Sequence, residues 1–241
     1  MKMKKTVVFL LALLMLPAFG LASEGQRSDT AAFFDEVVFV GDSLMNQLLR
    51  FNLAQKKEGL LPFGEARFLV ANSYSLHHAS RDKLQTGVNL KYRGREYPLQ
   101  EALRVMEAKK VFILVGMNDY PGFDEERDVR YWRRMVEQVR EAVPGIEVYA
   151  LSLTPMVKER EIKKLNQAQI DRYNANIEAL SREMGFHFVD VATALKNAEG
   201  FLDRAMSRDR YVHLSDEAVV ILVNSLQDYA RTQMSMQVEA E

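Results

Sequence analysis

Two rhythms of apolar residues alternate along the chain. Short, mainly apolar runs rich in β-branched and aromatic residues, at positions 37–40, 66–71, 111–115, 146–153 and 186–191, have the make-up of buried strands. Between them, apolar residues recur every three or four positions, the mark of a helix with one buried face. Leu44, Leu48 and Phe51 form the first such set, and Leu99, Leu103 and Met106 the second. Trp132, Met135, Val136, Val139 and Val143 form the third, stopped by Pro144-Gly145. Ile170, Tyr173, Ile177, Leu180 and Met184 form the fourth, stopped by Gly185, and Val219, Leu222 and Leu226 the last, capped by Ser215. Val88, Leu90 and Tyr92 alternate instead, and Arg93-Gly94 offers a turn, so a small β-hairpin is expected over 88–97. Five strands alternating with helices imply an α/β fold: a parallel sheet covered on both faces, with ligands at the carboxyl ends of its strands.

Composition sharpens this picture at the two ends. The 241 residues are 48% hydrophobic and 27% charged, as in ordinary globular chains, and allow a full core in one domain, placed over 31–232. A basic start, Met1-Lys2-Met3-Lys4-Lys5, precedes an apolar run over 6–21 that ends in small residues. This reads as a signal peptide over 1–22, too short to be a spanning helix. A polar, flexible lead over 23–30 and a polar, frayed tail over 233–241 complete the expected organisation. The expected location is therefore outside the cytoplasm, in a periplasm, on the cell surface or secreted, with no stable membrane insertion once the signal is removed. The balance of 32 basic and 33 acidic residues lacks the footprint of a nucleic-acid binder. With no cysteine, disulfides, thiolate chemistry and cysteine-ligated zinc are excluded.

The candidate chemistry begins where the first strand meets its helix. Gly41 suits a tight turn, and Asp42 or Ser43 can cap the helix. A serine there carries a hydroxyl nucleophile and a backbone N–H with no partner inside the helix, the two things acyl transfer needs. Asn118 follows the third strand and His213 precedes the last helix, so a parallel sheet can bring both to Ser43. In that arrangement Ser43 attacks, His213 moves the proton, and a carboxylate orients the imidazole. The Asn118 amide and the Ser43 N–H stabilise the oxyanion. Asp42 and Asp119 are read as structural, Asp42 steadying the turn and Asp119 bonding nearby backbone. His77 and His78, in a polar loop after the second strand, lack the spacing of a metal site and are placed along the cleft, while His187 is read as structural.

Gly41-Asp42-Ser43, Gly116-Met117-Asn118-Asp119 and His213 with a nearby aspartate resemble, in order and rough spacing, the motifs of the SGNH (GDSL-type) hydrolase family. The resemblance covers nearly all of the chain beyond the signal. It implies a three-layer α/β/α, flavodoxin-like sheet of five parallel strands, ester chemistry, and no metal or other cofactor. It also implies a further oxyanion donor after the second strand, where the family has glycine and this chain has Ser73, or on another alignment Ser75. The family acid stands three residues before the histidine, a place held here by Arg210. Asp209, one residue earlier, completes a Ser–His–Asp triad if the loop absorbs the extra residue, and otherwise a Ser–His dyad remains.

The expected function is an exported serine esterase acting on an O-acyl ester, either a carbohydrate O-acetyl group or another small acyl ester. Two alternatives stand beside it: an acyltransferase working on a glycan by the same route, and a ligand-binding protein that has lost catalysis. The hairpin and the loop over 120–128 are expected to wall the cleft, and Lys91, Arg93 and Arg95 to form a solvated face. Oligomeric state has no signature in the sequence.

Overall fold

The structure is a computed structural model that describes residues 26–84, 86–119 and 122–239. The expected signal segment, the start of the lead and the loop tip at 120–121 lie outside the described residues. In chain order, β1 (Gln26–Arg27) and α1 (Ala31–Phe34) precede β2 (Val37–Gly41) and α2 (Ser43–Lys57). Then come β3 (Leu60–Leu61), β4 (Arg67–Val70), α3 (Leu76–Ala79) and the hairpin β5 (Leu90–Tyr92) and β6 (Arg95–Tyr97). The second half runs α4 (Leu99–Val105), β7 (Lys110–Leu114), α5 (Glu125–Ala142), β8 (Glu147–Leu151), α6 (Gln167–Met184), β9 (His187–Val189) and α7 (Asp216–Glu239).

The five expected strands form one parallel sheet in the order β4-β2-β7-β8-β9. Its register is written in aromatic side chains. Phe39 lies opposite both Phe68 and Phe112, Phe112 opposite Tyr149, and Tyr149 opposite His187. The rings follow one another at 5.0, 5.4, 4.3 and 4.4 Å across all five strands. Each such pair adds roughly 0.5–1.5 kcal/mol to its area burial, and a one-residue slip of any strand would turn its ring to the other face. His187 is thus a member of the aromatic row, as its structural reading requires.

Helices cover the sheet in two groups: α2 packs with α7, and α4, α5 and α6 pack in series. Each buries the stripe its spacing foretold, Trp132, Met135, Val136 and Val139 on α5 and Ile170, Tyr173, Ile177 and Leu180 on α6. Full burial of one such side chain contributes about 1.5–3 kcal/mol. Gly185 ends α6 in the left-handed conformation (φ 65°). Among the described residues no helix is long and apolar enough to cross a membrane.

Four local expectations are corrected. The lead is not loose from residue 26 onward: β1 pairs in parallel with β3, and Arg27 meets Asp35 at 2.7 Å. The tail from Gln233 continues α7 to Glu239, because Met234 still packs on the core. The polar loop with His77 and His78 contains a helical turn, α3, since Ser75 caps it. The loop over 120–128 gives way to α5 at Glu125, where Asp124 accepts from the Arg127 N–H. The hairpin stands as expected, with Arg93 and Gly94 both at positive φ. It lies against β4 and α4 and adds no residue to the pocket beside Ser43. Lys91 pairs with Glu96, and Arg93 and Arg95 lie over Tyr92 and Tyr97.

Candidate active site

The place of Ser43 is set by packing at the end of β2. Gly41 does not have the left-handed backbone that a turn would demand; close approach is what requires it. A Cβ there would stand 2.6 Å from the Leu114 carbonyl oxygen and 2.7 Å from the Met45 Cβ. The Leu114 oxygen belongs to the neighbouring strand and cannot yield. Asp42 is the cap: its Oδ1 accepts from the Leu44 N–H at 2.9 Å. Ser43 therefore begins the helix, with its own N–H in the first turn and its hydroxyl half-buried.

From Ser43 a hydrogen-bonded relay runs to the loop before α7. Ser43 Oγ is 2.9 Å from His213 Nε2, and His213 Nδ1 is 2.6 Å from Asp209 Oδ2. With Nδ1 donating to the carboxylate, Nε2 is free to accept the serine proton. The extra loop residue is absorbed by Arg210, which takes a left-handed backbone (φ 58°). That turn folds three backbone N–H groups, of Tyr211, Val212 and His213, onto Asp209 Oδ1 at 2.9, 3.1 and 3.2 Å. Ser207 Oγ also reaches it at 3.0 Å. Burial alone would raise the Asp209 pKa. The bonds from the His213 side chain, the Tyr211 and His213 N–H groups and Ser207 outweigh it, and the carboxyl is held below its ordinary value.

On the other side of the sheet edge, two buried carboxylates tie the segments after β2, β7 and β4 together. Asp42 Oδ2 accepts from Asn118 Nδ2 at 2.5 Å, fixing the amide that follows β7 and leaving its second N–H without a protein acceptor among the described residues. Asp119 accepts from the N–H groups of Leu76 at 2.8 Å and His77 at 2.9 Å. Those groups lie more than 40 residues away, so Asp119 bonds a distant loop, contrary to the expectation that it bonds nearby backbone. Burial pushes both carboxyls up to about 6, against the pull of these hydrogen bonds. The glycine of Gly116-Met117-Asn118-Asp119 is required by contact as well. It sits at φ 135°, and a Cβ would strike the Tyr173 hydroxyl, which donates to Val115 and accepts from Trp132.

Three of the expected residues, Ser43, His213 and Asp209, are thus in direct contact, and Asn118 joins them through Asp42. Ser73 and Ser75 are separated by their backbones. The Ser75 N–H meets His78 Nδ1 at 3.2 Å and its hydroxyl caps α3, so Ser75 is spent on the helix. Ser73 holds a left-handed backbone (φ 62°), the conformation glycine accepts without strain, and its N–H has no protein acceptor among the described residues. Its neighbour Asn72 lines the pocket of about 210 Å³ beside Ser43 and accepts from Asn46 Nδ2 at 3.1 Å. His77 and His78 do not line that pocket. His78 completes the cap of α3, and His77 packs edge-on to Tyr131.

Gln47 escaped the sequence reading. Its amide grips the backbone of Leu214 twice, donating to the carbonyl at 2.7 Å and accepting from the N–H at 3.0 Å. It thereby ties the loop of His213 to α2, the helix that Ser43 begins. The signal available was its position four residues after Ser43, on the same helix face.

Comparison with known proteins gives the family and the fold. The model of the GDSL-like lipase/acylhydrolase family matches residues 39–219. Among solved structures, the chain is similar to a GDSL-like lipase from Bacteroides thetaiotaomicron at 16% identity and TM-score 0.60, covering 84% of this chain and 90% of that one. It is similar to a mutant of an acetyl-xylooligosaccharide esterase from Geobacillus stearmophilus at 13% identity and TM-score 0.57, covering 86% and 94%. A carbohydrate esterase family 3 protein from Talaromyces cellulolyticus matches at 14% identity and TM-score 0.56, covering 83% and 97%. At these identities the likeness is one of fold. Comparison with curated protein sequences gives no match.

Proposed function

The chain belongs to the GDSL-like lipase/acylhydrolase family, as a serine hydrolase acting on esters, and from that premise we propose that it cleaves a small O-acyl ester through an acyl-enzyme on Ser43. The observation that carries this reading is the relay itself, Ser43 Oγ to His213 Nε2 at 2.9 Å and His213 Nδ1 to Asp209 Oδ2 at 2.6 Å.

In this reading Ser43 Oγ attacks the ester carbonyl as its proton passes to His213 Nε2. Asp209, kept ionised by its N–H donors, stabilises the imidazolium that forms. The charge on the carbonyl oxygen is met by the Ser43 N–H, the free Asn118 amide N–H and the Ser73 N–H. His213 then gives its proton to the departing alcohol, and the acyl group stays on Ser43. Water, activated by the same histidine, releases the acid. The likeness to a mutant of an acetyl-xylooligosaccharide esterase supports a carbohydrate O-acetyl group as one substrate, and the polar walls of the pocket beside Ser43, Asn46, Gln47 and Asn72, suit hydroxyl-rich or other small esters.

Labelling with a fluorophosphonate tests the nucleophile. The intact protein takes the label and Ser43→Ala does not; equal labelling of the two would remove Ser43 from the reaction. We also infer export, from the basic and apolar start of the chain. Amino-terminal sequencing of the protein from its native cell checks it, and a start at Met1 would refute cleavage.

A further inference from the structure

The pocket beside Ser43 continues past the catalytic residues. Gln47, Arg50 and Arg208, three of its walls, also border a second cavity of about 470 Å³ between α2 and the first turns of α7. That volume lies within the range of small-molecule sites, about 300–1,000 Å³. The apolar part of its lining is Phe51, Ala54, Val219 and Val220. Val220 is 42% exposed, a large apolar side chain open to solvent beside a catalytic pocket. The neck is polar in contrast. Arg208 donates to Asp216 at 2.5 Å and Gln47 is held by Leu214, while Gln55 and Glu217 add polar groups at the cavity's edge.

The direction of this groove has a chemical meaning. The proton that His213 takes from Ser43 must be handed to the departing oxygen, so the alcohol leaves on the His213 side of the nucleophile. The oxyanion donors, at the ends of β4 and β7, lie towards the sheet. Arg208 is in the His213 loop, its N–H donating to the His213 carbonyl at 2.9 Å. The groove that Arg208 borders therefore continues from the leaving-group side of the catalytic pocket. We propose that it is a subsite for the alcohol part of the ester and takes an alkyl or aryl group there. This rests on Ser43 as nucleophile, and of the two substrate classes proposed above it selects the other small acyl esters, those of alcohols with an apolar far end, over O-acetylated sugars. Polar neck and apolar floor match such an alcohol, whose ester end is polar.

The test holds the acyl group constant. Acetate esters of methanol through hexanol, kept below aggregation, are turned over by the intact protein and by Ala54→Asp and Val220→Asp. Burial of the added methylenes in an open groove is expected to raise kcat/KM about tenfold from methyl to hexyl, mainly through KM. The two aspartate variants flatten that rise, while the dependence on acyl length, measured on methyl esters of acetate through hexanoate, keeps its shape. A flat alcohol series in an enzyme that does hydrolyse methyl acetate would overturn the groove and leave Ser43 standing. So would a rise that survives in both variants. Absence of all ester turnover together with absence of fluorophosphonate labelling would instead bring down the nucleophile, and the groove with it.

Discussion

Asp42 and Asp209 both hold partners of Ser43, in opposite surroundings. Asp42 is 1% exposed and sits where three strand ends meet, and burial lifts its carboxyl to about 6. The Asp209 side chain is 35% exposed, and its donors hold its carboxyl below the ordinary value. The difference follows the work each performs. Asp42 keeps the Asn118 amide aimed, which needs a rigid tether more than a full charge. On the proposed mechanism Asp209 faces an imidazole that becomes positive, which needs a carboxylate that stays ionised. Two acids with pKa values driven apart by environment divide the roles between them. The same contrast runs through the supports. On the proposed mechanism the oxyanion side stands on the ends of three sheet strands, β4, β2 and β7, with Ser73 and Asn118 themselves exposed, whereas the relay side is a loop held by its own side chains and by Gln47.

The comparison breaks most visibly at the relay. His213→Ala is expected to lower kcat about 10⁶-fold, and Asp209→Asn about 10⁴-fold because its amide holds the imidazole in the wrong tautomer. Steady-state hydrolysis of p-nitrophenyl acetate measures both, and an unchanged rate in Asp209→Asn would reduce the triad to a dyad. Next in size is the oxyanion side. Asn118→Ala should cost about 10²–10³-fold in kcat with little change in KM, since its donor acts on charge that exists only in the transition state. An effect confined to KM would move Asn118 out of that role.

A smaller effect separates the two aspartates by pH. The folded state binds the Asp42 proton more tightly than the unfolded chain does, with a pKa of about 6 against 3.8. Its contribution to stability is therefore complete below about 4 and lost as pH rises through 6, up to about 3 kcal/mol. Asp209 has the opposite sign: its contribution is present above its unfolded value and lost as pH falls through its lowered folded value. Urea unfolding of the intact protein and Asp42→Asn between pH 4 and 7 should show the stability advantage of the intact protein shrinking as pH rises. A pH-independent gap would contradict the raised value. The smallest effect belongs to Ser73→Gly. Relief of its left-handed backbone, less the entropy that glycine adds to the unfolded chain, should raise stability by about 0.5 kcal/mol while the backbone N–H keeps activity intact. A clear loss of activity would show that the Ser73 side chain itself takes part.

Spacing and residue type determined much of this protein. The runs of β-branched residues, the three-and-four repeats and the order of Ser43, Asn118 and His213 specify an α/β fold and an acyl-transfer site, because periodicity and local turn chemistry act over a few residues. They missed β1, α1 and α3, which are too short to carry a period. They also gave Gly41 the wrong reason, a turn in place of contact with the next strand. Only the tertiary structure decided which of Asp42 and Ser43 caps α2, that Asp209 reaches His213 around Arg210, that Ser75 is consumed by a cap, and that Gln47 locks the loop. The last depends on groups that meet through the tertiary fold, as Ser43 and His213 do across 170 residues, while the first three are local bonds among several that the same residues could make. No pattern local to either residue contains that distance.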